Sequence, residues 1–185
     1  MSALTDRAQS FAEIQECLVK SALDLFGAYG MRVDYSLGGA AEVSGPAVMA
    51  VMGYADRGVR GALLLLASRG VVDALMPVEA RGALVPVEVS LRDVFGEFAN
   101  MLLGRVKNQL VARFMAPLLT TPTTVFGDDL ELPAPRSGMS AWHTFAGAGG
   151  DIFVRFDATF EGDFKLSPPG AGEAPTLAEG EMVLF

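Results

Sequence analysis

The 185-residue sequence predicts an α+β fold in which one long helix followed by three strands occurs twice. Two segments, 8–29 and about 90–115, repeat apolar residues at the helical period. About six shorter segments alternate apolar and polar residues, as half-buried strands do, and their hairpin spacing favours a largely antiparallel sheet. The repeated order indicates a weak internal duplication.

The first half begins with a helix over 8–29, which Gly30 ends as a left-handed cap. The strands that follow are predicted at 32–38, 46–55 and 59–67. Asp56-Arg57-Gly58 forms the tight turn between the last two. A short helix is predicted over 68–77, with Ser68 as its N-cap.

The second half begins with a helix that runs from an N-cap at Ser90, with Asp93 at position N3, to about Met115. Its strands are predicted at 122–132, 139–147 and 151–160. We expect one domain over 1–166 and a Pro/Gly/Ala/Glu-rich tail over 167–185.

A carboxylate and an amide lie side by side on the polar stripe of the second long helix. Glu97 and Asn100 are i, i+3 neighbours, about 60° apart around the helix. The same stripe carries Asp93, Gly104, Lys107 and Asn108. The opposite, apolar face carries Leu91, Phe95, Phe98, Leu102, Val106 and Leu110. Gly104 costs the helix about 1 kcal/mol relative to alanine, so we expect it to leave room for another molecule's backbone.

Charge and hydropathy exclude two kinds of partner. The net charge of −8 and the pI near 4.6 argue against nucleic acid, whose binding requires a basic surface. The longest aliphatic run, at 62–67, is too short to cross a bilayer, and no signal-like segment opens the chain. We therefore expect a cytoplasmic protein with no membrane contact.

The sequence also lacks the patterns of a metal centre. His143 is the only histidine, and no C-x-x-C or H-E-x-x-H spacing occurs. We interpret His143 as a strand residue that faces solvent or a hydrogen-bonding partner. Cys17, the only cysteine, is interpreted as inert packing on the apolar side of the first helix.

The segment 96–104, Gly-Glu-Phe-Ala-Asn-Met-Leu-Leu-Gly, followed by Lys107, resembles the signature of the CheC/CheX/FliY family of chemotaxis phosphatases. That family's active motif, E-x-x-N, lies within a longer G-E-x-x-N-M-x-x-G pattern. The similarity extends from about residue 10 to residue 165 and includes the hairpin at 53–66 and the Pro-Thr-Thr-Val-Phe-Gly run at 122–127. A single E-x-x-N copy is similar to the CheX branch.

The duplication gives the first helix a partial copy of the motif. Laying the first helix on the second places Glu16 opposite Glu97 and Val19 opposite Asn100. The first half therefore keeps the acid and lacks the amide, which leaves one candidate site.

The resemblance implies a two-layer domain, with both long helices on one face of the sheet, that dephosphorylates the aspartyl phosphate of a CheY-type response regulator. Asn100 would insert into the regulator and orient water, because an amide can accept from water and donate to a phosphoryl oxygen. Glu97 would pair with the regulator's lysine. The remaining partner-binding residues implied are Asp93, Gly96, Gly104 and Lys107. The resemblance implies no cofactor of the chain's own, since the regulator supplies Mg²⁺.

Two other interpretations stay open. One is a non-catalytic receiver-binding or scaffold protein on the same fold, which turnover of a phosphorylated receiver would separate from a phosphatase. The other is an unrelated α+β domain whose E-x-x-N is coincidence, which receiver binding would exclude.

The resemblance also implies a homodimer that pairs across sheets. We expect an exposed sheet edge near 59–67, where four leucines follow one another. The alternative is a monomer whose edge is covered by its own segment 182–185, Met-Val-Leu-Phe.

Overall fold

The computed structural model describes residues 3–39, 42–76, 87–113, 115–130 and 138–168. Over these ranges, three helices pack on one sheet of seven strands, in agreement with the predicted α+β class. In chain order the elements are α1 Ala3–Ala28, β1 Val33–Leu37, β2 Pro46–Asp56, β3 Val59–Ser68, α2 Arg69–Leu75, α3 Val87–Val111, β4 Leu118–Leu119, β5 Thr123–Asp128, β6 Met139–Gly147 and β7 Gly150–Phe160.

The sheet has a symmetric order that confirms the duplication. Its strands run β1-β6-β7-β3-β2-β4, with β5 also paired to β2, and the described pairs are antiparallel. In the duplication, β1, β2 and β3 correspond to β5, β6 and β7. Exchanging each strand for its counterpart turns the order β1-β6-β7-β3-β2-β5 into the same order read backwards. The pair β3–β7 therefore lies at the centre of a pseudo-twofold arrangement.

The burial of the two long helices follows the same duplication. When Glu16 is aligned with Glu97, the buried positions Ile14, Leu18, Ala22 and Leu25 of α1 fall on Phe95, Ala99, Leu103 and Val106 of α3, which are also buried. Both helices thus bury corresponding stripes in one core.

The expected edge at 59–67 is wrong. Strand β3 lies between β2 and β7, and Leu63 is opposite Met52 on one side and Phe156 on the other. All four leucines, 63–66, are at most 4% exposed. A continuous apolar run is typical of a strand covered on both faces, whereas an exposed strand alternates. In the described part of the chain, β1 forms one end of the sheet, and β4 and β5 form the other.

Three local expectations also need correction. The sheet has seven strands rather than about six, because the two-residue β4 is too short to show alternation. Helix α3 begins at Val87, so Ser90 lies inside its first turn instead of capping it. Ser68 does occupy the N-cap position of α2, but its side chain makes no capping hydrogen bond. The tail predicted over 167–185 lies outside the described residues beyond Pro168, and so does its segment 182–185.

Aromatic packing joins the helix layer to the sheet. The ring centroid of Phe26 on α1 lies 5.4 Å from that of Phe98 on α3 and 5.0 Å from that of Phe145 on β6. All three side chains are fully buried. Burial of a phenylalanine side chain contributes about 1.5–3 kcal/mol, so this cluster fixes the rotation of both helices.

His143 on β6 is fully buried and hydrogen-bonded on both ring nitrogens. Its Nδ1 lies 3.1 Å from the hydroxyl oxygen of Tyr35, and its Nε2 pairs with Oε1 of Gln15. The interpretation of a histidine with a satisfied partner is therefore correct. Burial lowers the pKa of His143 from 6.5 to about 4, because an apolar environment disfavours the charged imidazolium. Cys17 is buried, as expected.

We expect the free energy of unfolding to decrease as the pH is lowered from about 6.5 towards 4. The unfolded chain takes up a proton on His143 in this window, whereas the folded chain holds the ring neutral until the pH approaches its folded pKa of about 4. Urea unfolding at a series of pH values measures this dependence. His143→Gln keeps hydrogen-bonding capacity and removes the titration, so an unchanged slope in that variant would contradict the prediction.

Candidate functional site

The outward face of α3 carries the predicted site. The six residues expected to face the core are all at most 2% exposed: Leu91, Phe95, Phe98, Leu102, Val106 and Leu110. On the opposite side Asp93, Glu97 and Asn100 are exposed, and Gly104 and Lys107 are half-buried. The helix therefore brings these five residues together on one accessible stripe.

Glu97 and Asn100 form the centre of this stripe. They lie one turn apart, so their Cβ atoms are about 5–6 Å apart. Within the residues that the structure describes, neither side chain makes a hydrogen bond or an ion pair. A carboxylate acceptor and an amide that can both accept and donate are thus available to a second molecule.

The two glycines of the motif have different surroundings. A Cβ on Gly96 would lie 3.1 Å from Cγ2 of Thr124 and 3.5 Å from Cγ of Pro122, whereas a Cβ on Gly104 would meet no heavy atom of the described residues within 4 Å. Gly96 is buried and lets the start of β5 approach α3. Gly104 faces open space within the described residues, and its assignment to the partner surface stays a prediction. The assignment of Gly96 to the partner surface stays a prediction.

Tyr29 stands beside this face, although the sequence reasoning did not find it. Its ring packs edge-on against Phe98, with centroids 5.5 Å apart, and its hydroxyl oxygen lies 4.0 Å from Sδ of Met101. Burial and, secondarily, the negative charge of Glu97 raise the pKa of Tyr29. The sequence indicates only that Tyr29 lies at the end of α1, because it precedes the predicted cap Gly30. The position of a residue at a helix end does not show which other helix it contacts.

The corresponding face of α1 differs. Glu16 is exposed like Glu97, but Val19 takes the position that corresponds to Asn100 and is half-buried. The amide is therefore present on α3 and missing from α1. In the described ranges, no three His, Cys, Asp or Glu side chains converge as a metal site, and no helix is long and apolar enough to cross a membrane.

Comparison with known families identifies the class. The model of the chemotaxis phosphatase CheX family matches residues 48–146, which is just over half of the chain and includes the whole of α3. The chain belongs to the CheX family of chemotaxis phosphatases.

Solved structures agree on the fold. The chemotaxis protein CheX from Desulfovibrio desulfuricans superimposes with a TM-score of 0.67 at 18% identity, over 80% of this chain and 99% of that one. CheX from Vibrio vulnificus gives a TM-score of 0.69 at 16% identity, over 80% and 99%. The CheX–CheY–BeF₃–Mg²⁺ complex from Borrelia burgdorferi gives 0.61 at 14% identity, over 77% and 96%. No curated protein matches the sequence.

We expect valine to have different effects on the free energy of unfolding at the two glycines. Gly96→Val forces a branched side chain against Thr124 and Pro122 and should lower the free energy of unfolding by about 1–3 kcal/mol. Gly104→Val enters open space and should leave stability unchanged or raise it by a few tenths of a kcal/mol, roughly the difference in helix propensity. Urea unfolding of both variants measures the difference. Equal destabilisation would show that Gly104 also serves internal packing.

Proposed function

We propose that the chain is a phosphatase that hydrolyses the aspartyl phosphate of a CheY-type receiver domain. The observation that carries the proposal is the pair Glu97 and Asn100, exposed and unpaired within the described residues, on a helix whose other face is held in the core. Membership of the chemotaxis phosphatase family supports the reaction. The Borrelia complex of CheX with CheY, BeF₃ and Mg²⁺ supports a receiver as the partner.

In the proposed reaction, Asn100 positions the nucleophile. A water oxygen bonds to phosphorus as the bond from phosphorus to the aspartate carboxylate oxygen breaks. The aspartate leaves as a carboxylate, and the two protons of the water leave with the phosphate as H₂PO₄⁻ or pass from it to the solvent. The amide carbonyl of Asn100 accepts a hydrogen bond from that water, and its NH₂ donates to a phosphoryl oxygen. Because α3 is packed against the core, the amide is presented from a rigid element, which lowers the entropic cost of alignment.

The receiver supplies the remaining electrostatics. Its Mg²⁺ and cationic side chain neutralise the phosphoryl oxygens, so we propose no metal or cofactor bound by this chain. If the receiver provides the positive charge, this chain needs to provide only a carboxylate and an amide. Because phosphorylated receivers are found in the cytoplasm, we propose that the protein acts there.

Docking is the proposed role of the rest of the stripe. Glu97 pairs with the receiver's lysine and sets the register of the two proteins. Gly104, with open space around it, admits the partner's backbone, while Asp93 and Lys107 contact it at the two ends. A phosphatase must release each product, so we expect a small and weak interface.

We further propose a homodimer with one site on each subunit. Because β3 lies between β2 and β7, the ends of the sheet available for pairing in the described part of the chain are β1 on one side and β4 and β5 on the other. Each α3 would then face outward and engage its own receiver.

Removing the amide should abolish most turnover without weakening the complex. Asn100→Ala should lower the dephosphorylation rate about 10²–10⁴-fold, because a positioning group acts in the transition state. Its exposed position should keep stability within about 0.5 kcal/mol. Phosphate release from a phosphorylated receiver measures the rate, and receiver titration measures affinity.

Gln9→Ala is the control, because it removes the same kind of amide from an exposed position on α1, outside the stripe of α3. It should retain the wild-type rate. A wild-type rate for Asn100→Ala would exclude the proposed role of the amide. Receiver binding without turnover by the wild-type chain would instead favour a non-catalytic scaffold.

Changing the carboxylate should affect docking. Glu97→Ala should raise KM, and Glu97→Lys should raise it further, because a like charge then faces the receiver's lysine. Both effects should diminish as the salt concentration rises, since ions screen a pair at the rim of an interface. Glu16→Lys makes the same charge change on α1 and should leave KM unaltered. A lower kcat at constant KM in low salt would contradict a docking role for Glu97.

A further inference from the structure

The backbone at the end of α1 holds Tyr29 in a defined position. The amide of Gly30 donates to the carbonyl of Gly27 at 3.0 Å, and the amide of Met31 donates to that of Phe26 at 2.9 Å. With Gly30 at φ 71°, these two bonds form a Schellman motif in which Tyr29 is the C-cap residue. The side chain of Tyr29 therefore projects from a fixed end of the helix.

This position places an aromatic ring next to the proposed docking carboxylate. The ring rests on Phe98, its hydroxyl oxygen lies 4.0 Å from Sδ of Met101, and 40% of the residue is exposed. Glu97 and Met101 are i, i+4 neighbours on α3, so the ring lies alongside the turn that presents Glu97. A partner that reaches the carboxylate passes beside Tyr29.

We propose that Tyr29 is part of the receiver-binding surface, where it and Glu97 together receive a long cationic side chain of the partner. This proposal rests on the proposed function, which makes a receiver lysine the counterpart of Glu97. The ring holds the methylene stem, while the carboxylate pairs with the terminal charge. The binding surface thus extends from α3 onto the end of α1.

The chemistry of the two groups favours a cation. The face of a phenol ring carries partial negative charge and attracts ammonium or guanidinium groups. The carboxylate of Glu97 adds a full negative charge beside it. Long cationic side chains keep an apolar stem that packs on such a ring while the charge stays hydrated or paired. A carboxylate from a partner would be repelled by Glu97 and would gain nothing from the ring.

Tyrosine variants at two positions test this inference. We expect Tyr29→Ala to raise KM about five- to tenfold with kcat within about twofold of the wild type, as loss of a partly desolvated cation–π contact would. Tyr29→Phe keeps the ring and should restore a KM near the wild-type value. Tyr35→Ala is the matched control, because Tyr35 is 39% exposed and packs on Phe145 and His143, away from α3. The KM of this variant should equal that of the wild type.

A double variant tests whether the two groups act on the same partner side chain. Residues that share a partner are not additive, so Tyr29→Ala combined with Glu97→Ala should raise KM less than the product of the single effects. Multiplicative effects, an unchanged KM for Tyr29→Ala, or an equal rise for Tyr35→Ala would overturn the inference.

Titration with a receiver carrying beryllofluoride separates this inference from the proposed catalysis. If the wild-type chain binds the receiver without turnover, the catalytic proposal fails, while weaker binding by Tyr29→Ala would still support the role of Tyr29. If Asn100→Ala abolishes turnover and Tyr29→Ala binds normally, only the inference about Tyr29 fails. A wild-type chain that binds no receiver overturns both.

Discussion

The burial of Phe95 and Phe98 decides which side of α3 faces the solvent. Phe98 contacts Phe26 of α1, and Phe26 contacts Phe145 of the sheet, so the helix cannot rotate without breaking a fully buried aromatic cluster. A rotation by one residue, about 100°, would also bring Glu97 towards the core, where an unpaired carboxylate costs several kcal/mol. The outward direction of Glu97 and Asn100 is therefore a consequence of core packing.

The duplicated halves also differ in how closely each long helix approaches its strands. The alignment of Glu16 with Glu97 also places Gln15 opposite Gly96. In the second half, Gly96 leaves no side chain between α3 and the start of β5, where Pro122 and Thr124 pack. In the first half, Gln15 extends from α1 to His143 on β6.

Gln15 lines a groove of about 650 Å³ between α1 and the strands β1 and β6. Its lining includes Gln15, Glu16, Val19, Leu23, Tyr35 and Leu37. Val19, at the position that corresponds to Asn100, is thus part of an apolar wall. One face of the pseudo-symmetric domain carries a polar stripe on a closely packed helix. The corresponding face carries a groove in which Val19 takes the position that corresponds to Asn100.

The sequence predicts the helices, most of the strands and the orientation of the motif, because each depends on short-range periodicity. The apolar stripe of α3 is long and regular, so its buried face could be read residue by residue. The position of β3 could not be inferred as reliably, although its four consecutive leucines favour a strand covered on both faces. Pairing partners depend on contacts between distant segments, and the sheet places β7 beside β3. Tyr29 was missed for the same reason, since its neighbours Phe98 and Met101 are far along the chain.

The site makes few demands on the stability of the free protein. Water can satisfy the exposed carboxylate and amide, so leaving them unpaired within the described residues costs little, whereas a buried unpaired group would cost about 1–3 kcal/mol. Under the proposed function, selectivity then comes from how the interacting groups are arranged. Tyr29 bounds the stripe on the side of α1, and the open space at Gly104 lies one turn beyond Asn100. Between them, the i, i+3 spacing fixes the offset between the amide and the carboxylate. Under the proposed function, a receiver matches that offset with its own acyl phosphate and cation, so the i, i+3 spacing itself contributes to the choice of partner.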